Sequence, residues 1–245
     1  MGTLQASSSP IREKIRDLPT SRIAEVSALG FGNPDIIPLW YGEGDLPTPG
    51  FIGEAASRAI AAGETFYTHK AGLPELRGAI GDYLTRLYGR EIAAERVAVT
   101  SAGMNALMLV AQMLIDPGDN LVIVAPIWPN IAAAVSIMGG EPRLVSLDAA
   151  EGGGWRLDPE KLFAACDART RGIFVNSPSN PTGWVISPDE IAALLAFARK
   201  RGLWLSPTRF MAGSSTATAR RHPFSSRARP RTASSSSTAF RRPGR

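Results

Sequence analysis

Phe174-Val175-Asn176-Ser177-Pro178-Ser179-Asn180-Pro181-Thr182-Gly183 decides the fold of this 245-residue chain. The apolar run 172–175 reads as a short buried strand. It breaks into Pro, Asn and Gly, so the chain turns at the strand's C-terminal end. In open α/β sheets that end is where ligands bind. Asn180 stands there with an amide that both donates and accepts. The stretch reads equally as a Pro-rich turn joining strand to helix.

Upstream, the same alternation repeats. Residues 97–100, 121–124, 143–147 and 203–205 read as strands. Residues 103–114, 129–138, 158–166 and 187–200 read as helices, the last opened by the capping box Ser187-Pro188-Asp189-Glu190. This pattern predicts an α/β three-layer sandwich with a mostly parallel sheet. Before it, Thr48-Pro49 opens a helix that should bury Ile52, Ala56 and Ile60. Pro74 opens another, stopped by Gly89. Residues 1–47 read as an N-terminal arm with a short helix at 21–28, and residues 48–206 as the sheet-bearing domain. From residue 207, Arg, Ser, Ala, Pro and Thr dominate without apolar periodicity, so residues 207–245 read as a disordered tail.

The charge is unevenly placed. Net charge is +5, but nine of the 27 basic residues lie beyond residue 206, with no acidic residue among them. The remainder holds 18 basic against 22 acidic residues, a net charge of −4. A basic body for nucleic acid is therefore not expected, although an Arg-rich tail could bind it. No run is apolar and long enough to span a membrane, and no signal-peptide core is present, so a cytoplasmic location is the expectation. The single cysteine, Cys166, excludes an internal disulfide and reads as packing rather than nucleophile. No metal-ligand spacing is found.

Three strand ends carry chemistry. Thr100-Ser101-Ala102-Gly103-Met104-Asn105-Ala106 leads from strand to helix through small residues. Its free backbone N–H groups and helix dipole suit a phosphate, although such turns also occur without one. Pro126-Ile127-Trp128-Pro129-Asn130 offers an indole that either stacks on a flat ring or packs in the core. Asn180 is the third. Together they suggest a flat phosphorylated cofactor.

These residues resemble fold-type I pyridoxal-phosphate enzymes, specifically class I/II aminotransferases of the aspartate aminotransferase group. The likeness runs from about residue 21 to 206. It includes Tyr41-Gly42-Glu43-Gly44-Asp45, Tyr67 with Ala71-Gly72-Leu73-Pro74-Glu75-Leu76-Arg77, and the three strand-end segments. The resemblance implies pyridoxal 5'-phosphate as cofactor, with Ala102, Gly103 and Met104 giving N–H groups to its phosphate. Trp128 would stack on its ring beside the substrate. Asn180 would bond its phenolic oxygen and approach the substrate carboxylate. Gly42 would line the substrate side, and Tyr67 would reach the phosphate of the other subunit of a homodimer. The implied reaction moves an amino group between an amino acid and a 2-oxo acid; a β-lyase or decarboxylase of the same fold is the alternative.

The sequence departs from the family where catalysis needs it most. The family requires a lysine that forms a Schiff base with the cofactor. The four lysines, Lys14, Lys70, Lys161 and Lys200, stand outside the family's Ser-x-x-Lys or Ser-Lys setting. The Asp expected after Leu203-Trp204-Leu205, which keeps the pyridine nitrogen protonated, is missing. So is a late Arg for the substrate carboxylate. Read one base earlier, with free choice among synonymous codons, residues 208–213 are compatible with Asp-Glu-Val-Tyr-Gly-Arg. Residues 238–245 are then compatible with Asn-Ser-Phe-Ser-Lys-Ala-Trp-Ala. These are the family's pyridine-Asp and Schiff-base-Lys segments. They would place the Asp at Thr208, the Tyr at Met211 and the Lys at Arg242. A frameshift near Ser206 is the reading, with an incomplete large domain, no transamination and poor solubility as expected consequences.

Overall fold

The computed structural model describes residues 10–42 and 46–208. The chain divides into two compact units, Met1–Thr68 and His69–Arg245. The first holds α1 (Glu13–Arg16), α2 (Arg22–Gly30) and α3 (Gly50–Ala61). The second holds α4 (Pro74–Tyr88), α5 (Gly103–Leu114), β1 (Asn120–Ala125), α6 (Asn130–Ile137), β2 (Glu141–Ser146), β3 (Asp148–Ala149) and β4 (Trp155–Arg156). It continues with α7 (Pro159–Ala164), β5 (Thr170–Asn176), α8 (Pro188–Arg201) and β6 (Trp204–Thr208).

Four strands form one parallel sheet in the order β2-β1-β5-β6. Alternate residues face opposite sides of a strand, and the two sides build two cores. Val122, Val124, Ile173, Val175 and Leu205 pack with Leu162 of α7 and with Ile191, Leu194 and Ala198 of α8. Leu121, Ile123 and Phe174 pack with Leu107 of α5 and with Ile131 and Val135 of α6. Every residue of β1 is buried, as a parallel strand covered on both faces requires. The three-layer α/β expectation holds. Gly172 is obligatory in β5: a Cβ there would lie 2.7 Å from the Trp204 carbonyl oxygen. Helix ends follow the local chemistry. Asp158 accepts from Glu160 N–H and Lys161 N–H at the start of α7. Ser187 and Glu190 form the capping box of α8, and Gly89 and Gly202 close α4 and α8 in the left-handed region.

Four readings are corrected. Residues 97–100 are not a strand: Val99 N–H bonds the Ala71 carbonyl at 2.9 Å, but no ladder partner runs beside them among the described residues. In α3 the apolar face is present but uncovered, with Ile52 47% and Ile60 68% exposed and Ala56 exposed too. A two-stranded antiparallel hairpin, β3–β4, stands where no strand pattern is legible, its strands too short for a period of two. Pro207 and Thr208 do not begin a tail but complete β6, pairing with Val175 and Asn176. The reading of the tail as disordered lies, from residue 209 onward, outside the described residues, as do Met211 and Arg242.

Candidate functional site

All four parallel strands end on the same edge of the sheet, so their loops converge there. The loop after β1 carries Trp128 and the loop after β5 carries Asn180. The two are joined directly, Trp128 N–H donating to the Asn180 carbonyl at 3.1 Å. The Trp128 side chain is half-buried against the core beneath α5 and α6. It therefore serves as packing on one side while part of it stays open. Asn180 is exposed, in a turn closed by Gly183 N–H on the Ser179 carbonyl (2.8 Å) and Ser179 N–H on the Trp184 carbonyl (2.8 Å).

The α5 N-terminus is tied to the same edge. Asn130 at the start of α6 donates from Nδ2 to Met104 Sδ at 3.3 Å. Ala102 is the N-cap residue in extended conformation, with no side-chain cap. Thr100 Oγ1 donates to the Ala102 carbonyl, and Asn105 Nδ2 donates to Ser101 Oγ, fixing the turn into the helix. The first N–H groups of a helix have no intrahelical acceptor. Here α5 carries no charged residue, so its positive dipole end is uncompensated. Ala102 and Gly103 are exposed, and a Cβ added at Gly103 would meet nothing within 4 Å. That is an open, anion-favouring place.

Between these points lies a feature the sequence reading passed over. Asn176, Ser206 and Thr208 are buried, and Asn176 Oδ1, Ser206 Oγ and Thr208 Oγ1 have no hydrogen-bond partner. The register pairs Phe174 with Ser206 and Asn176 with Thr208, so all four share the sheet face that packs against α5 and α6. Ser177 N–H donates to the Thr208 carbonyl at 3.1 Å, linking the tips of β5 and β6. The legible trace was polar residues inside otherwise apolar strands.

The lysines are placed elsewhere. Lys161 Nζ is held by Asp148, at 2.7 and 2.9 Å from its two carboxylate oxygens, and that hydrogen bond pulls the Asp148 carboxyl below its ordinary range. Lys200 is exposed in the last turn of α8, Lys14 in α1, and Lys70 in the loop before α4. Cys166 is buried just past α7, and burial pushes its thiol up to about 11, so it is protonated and inert at neutral pH. Tyr67 and Gly42 belong to the first unit, and both are exposed.

An open parallel sheet whose strand-tip loops meet at an anion-favouring helix start defines an α/β ligand-binding domain. Within that class, the chain belongs to the aminotransferase class I and II family, whose profile matches residues 34–206. It is 40% identical over 162 residues to a probable aspartate/prephenate aminotransferase of Thermus aquaticus, covering 66% of this chain and 42% of that one. It is 40% identical over 175 residues to the aspartate/prephenate aminotransferase of Cereibacter sphaeroides, covering 71% and 42%. The Thermus thermophilus aspartate aminotransferase with maleate superposes with a TM-score of 0.73 at 32% identity, over 81% of this chain and 53% of that one. The chain thus spans less than half the length of the first two relatives and about half of the third. The family is pyridoxal-phosphate dependent. Among the described residues, no helix is long and apolar enough to cross a membrane, and no cluster of metal-ligating side chains occurs.

Proposed function

We propose that this chain derives from an aminotransferase acting on dicarboxylic amino acids and their 2-oxo acids. It retains a non-covalent site for pyridoxal 5'-phosphate and does not itself transaminate. The observation that carries the reading is the union of three tips: Trp128 bonded to Asn180, and Met104 at the α5 start bonded to Asn130.

The residues present fit the group. The space in front of Gly103 is open, and the N–H groups of Ala102, Gly103 and Met104 address a phosphate there, aided by the α5 dipole. The open part of Trp128 offers a face for the ring. The exposed Asn180 amide would bond the phenolic oxygen and meet the substrate carboxylate. The orphaned polar atoms of Asn176 and Thr208 would offer neutral hydrogen-bonding groups where the family has a carboxylate. When bound, the cofactor supplies the electron sink, while the protein orients it and excludes water. Transamination also needs an amine that anchors the cofactor and carries a proton. Lys161 is committed to Asp148, and the other three lysines lie on α1, on α8 and in the loop before α4. The names of the relatives carry the substrate class.

Titration of the full chain with pyridoxal 5'-phosphate, read by Trp fluorescence and by absorbance, tests this. Binding with the spectrum of the free aldehyde, no lysine adduct after borohydride reduction and mass analysis, and no amino transfer are expected. A lysine adduct with turnover would overturn the predicted inactivity, and absence of binding would overturn the site. The nucleotide sequence across Ser206 tests the frame: a continuation encoding Asp, Tyr and Lys in the neighbouring frame is expected.

A further inference from the structure

Arg77, Gly81 and Thr85 follow one another at helical spacing in α4, so they line one stripe of that helix. Past Gly89 the chain returns along the stripe. Thr85 Oγ1 accepts from Ile92 N–H at 2.9 Å. A Cβ at Gly81 would lie 2.6 Å from the Ile92 carbonyl oxygen, so glycine is what lets the run approach. Arg77 holds the remainder, donating from Nη2 to the Ala94 carbonyl and from Nε to the Val97 carbonyl, both at 2.8 Å. Just before α4, the Ala71 carbonyl accepts from Val99 N–H at 2.9 Å. Ala71 lies in a closed turn, its own N–H donating to His69 Nδ1 and Gly72 N–H to the His69 carbonyl.

This run leads directly into the start of α5. A buried backbone carbonyl needs a donor, and in a sheet a neighbouring strand supplies it. Val97 is buried, yet among the described residues no strand runs beside 97–100. Arg77 supplies that donor instead. Past Val99, Thr100 Oγ1 donates to the Ala102 carbonyl at 2.9 Å and the helix begins. The body of α5 is set differently, through Leu107, which packs with Ile131 and Phe174 over the sheet. The core thus places the middle of α5, whereas the chain entering its first turn is placed by α4. The guanidinium suits the task because its planar fork serves two carbonyls at once, which an ammonium does not.

We propose that Arg77 is a positioning residue for the α5 start. It acts through residues 97–102, setting where the N–H groups of Ala102, Gly103 and Met104 stand, and not by touching the anion itself. The proposal rests on the reading of that start as the phosphate end of the cofactor site. Donors already fixed in the free protein bind an anion more tightly, because their ordering cost is met on folding.

The test compares the full chain as wild type, Arg77→Gln, Arg77→Lys and Thr85→Val. Thr85→Val breaks a tie on the same stripe, but at the end of the run farther along the chain from α5. Amide hydrogen exchange is followed without ligand at Val99, Asn105 and Ala106, whose N–H groups are all hydrogen-bonded. Affinity for pyridoxal 5'-phosphate is read by Trp fluorescence. In Arg77→Gln, exchange at these amides is expected to quicken about tenfold, and the affinity to fall about tenfold. Arg77→Lys should fall between Arg77→Gln and wild type, and it carries the comparison if Arg77→Gln does not fold. Thr85→Val should lower the melting temperature while leaving both readouts as in wild type. Unchanged exchange in Arg77→Gln, equal quickening in Thr85→Val, or quickened exchange with undiminished affinity would overturn the positioning role. Absence of binding in wild type would instead overturn the cofactor reading, and the exchange comparison would still decide whether Arg77 fixes the α5 start.

Discussion

At Gly103 and Gly72 the same absent side chain has opposite meanings. A Cβ at Gly103 meets open space, and its backbone is not left-handed. Gly103→Val is therefore expected to keep the melting temperature within a degree or two, since helix propensity costs only a few tenths of a kcal/mol at such a position. The same substitution fills the space before the α5 N–H groups, so affinity for pyridoxal 5'-phosphate should fall about tenfold or more, a loss of roughly 1.4 kcal/mol. At Gly72, φ is +99° and a Cβ would stand 2.7 Å from Val99 Cβ. Gly72→Ala should then cost about 1–3 kcal/mol in denaturant unfolding. Equal destabilisation by both changes would contradict this division of roles. Gly103, Trp128 and Asn180 were readable from the sequence because each interrupts an apolar run with a residue of special chemistry. Asn176 and Ser206 were not. A polar residue inside a buried strand looks like a tolerated exception until the register shows several such residues on one face without partners.

Elements whose ends are set by neighbouring residues were read almost to the residue. Helix α5 spans Gly103–Leu114 as its flanking small residues and Ile115 imply, and α8 begins after the Ser187 cap. Those whose existence depends on distant partners were misread. Residues 97–100 have β-forming composition but no ladder, and α3 has an amphipathic face with no cover. Local chemistry fixes a helix boundary, whereas burial needs a second surface that a one-dimensional pattern does not supply. The α8 cap offers a direct measure of the local part. Ser187 Oγ accepts from Glu190 N–H at 3.2 Å, and Glu190 Oε2 accepts from Ser187 N–H at 2.6 Å. Ser187→Ala is expected to cost about 1 kcal/mol. Adding Glu190→Ala should cost less than the sum, because each bond orients the other. Leu194→Ala, at a fully buried position of the same helix, should cost about 3 kcal/mol. Chemical denaturation of the four variants checks the order; a cap mutant as damaging as Leu194→Ala would mean that the helix start does more than close itself.

Across the whole sheet, the two ends are built differently. At the C-terminal edge, Asn176, Ser206 and Thr208 leave buried polar atoms without partners. At the N-terminal edge, charges and amides are heavily cross-linked. Asp119, before β1, pairs with Arg171 at 2.7 Å and Arg169 at 3.3 Å. Asn120 donates to Asp167 and accepts from Thr170, while Arg143 of β2 donates to Asp167 at 2.7 Å. These links tie β1, β2 and β5 together at their N-terminal edge. The clamp makes acid stability predictable. The Arg171 hydrogen bond holds the Asp119 carboxyl below its ordinary 3.8. The Asn120 and then the Arg143 hydrogen bonds hold Asp167 well below it. Both groups are more acidic folded than unfolded, so their stabilisation is complete above about pH 5 and lost as pH falls through 3.8 toward the depressed values. The melting temperature should be level between about pH 8 and 5 with respect to these groups and fall steeply below pH 4. Asp119→Asn should cost about 3 kcal/mol at pH 7, because it leaves Arg171 without its buried counter-charge. Asp167→Asn should cost less, its side chain being 46% exposed. In both variants the acid limb becomes shallower, each removing one group whose proton uptake drives unfolding. Circular dichroism melts from pH 3 to 8 read this out. An acid limb of unchanged slope in the double variant would place the acid sensitivity on carboxylates outside the clamp and leave the register of β1, β2 and β5 resting on apolar packing alone.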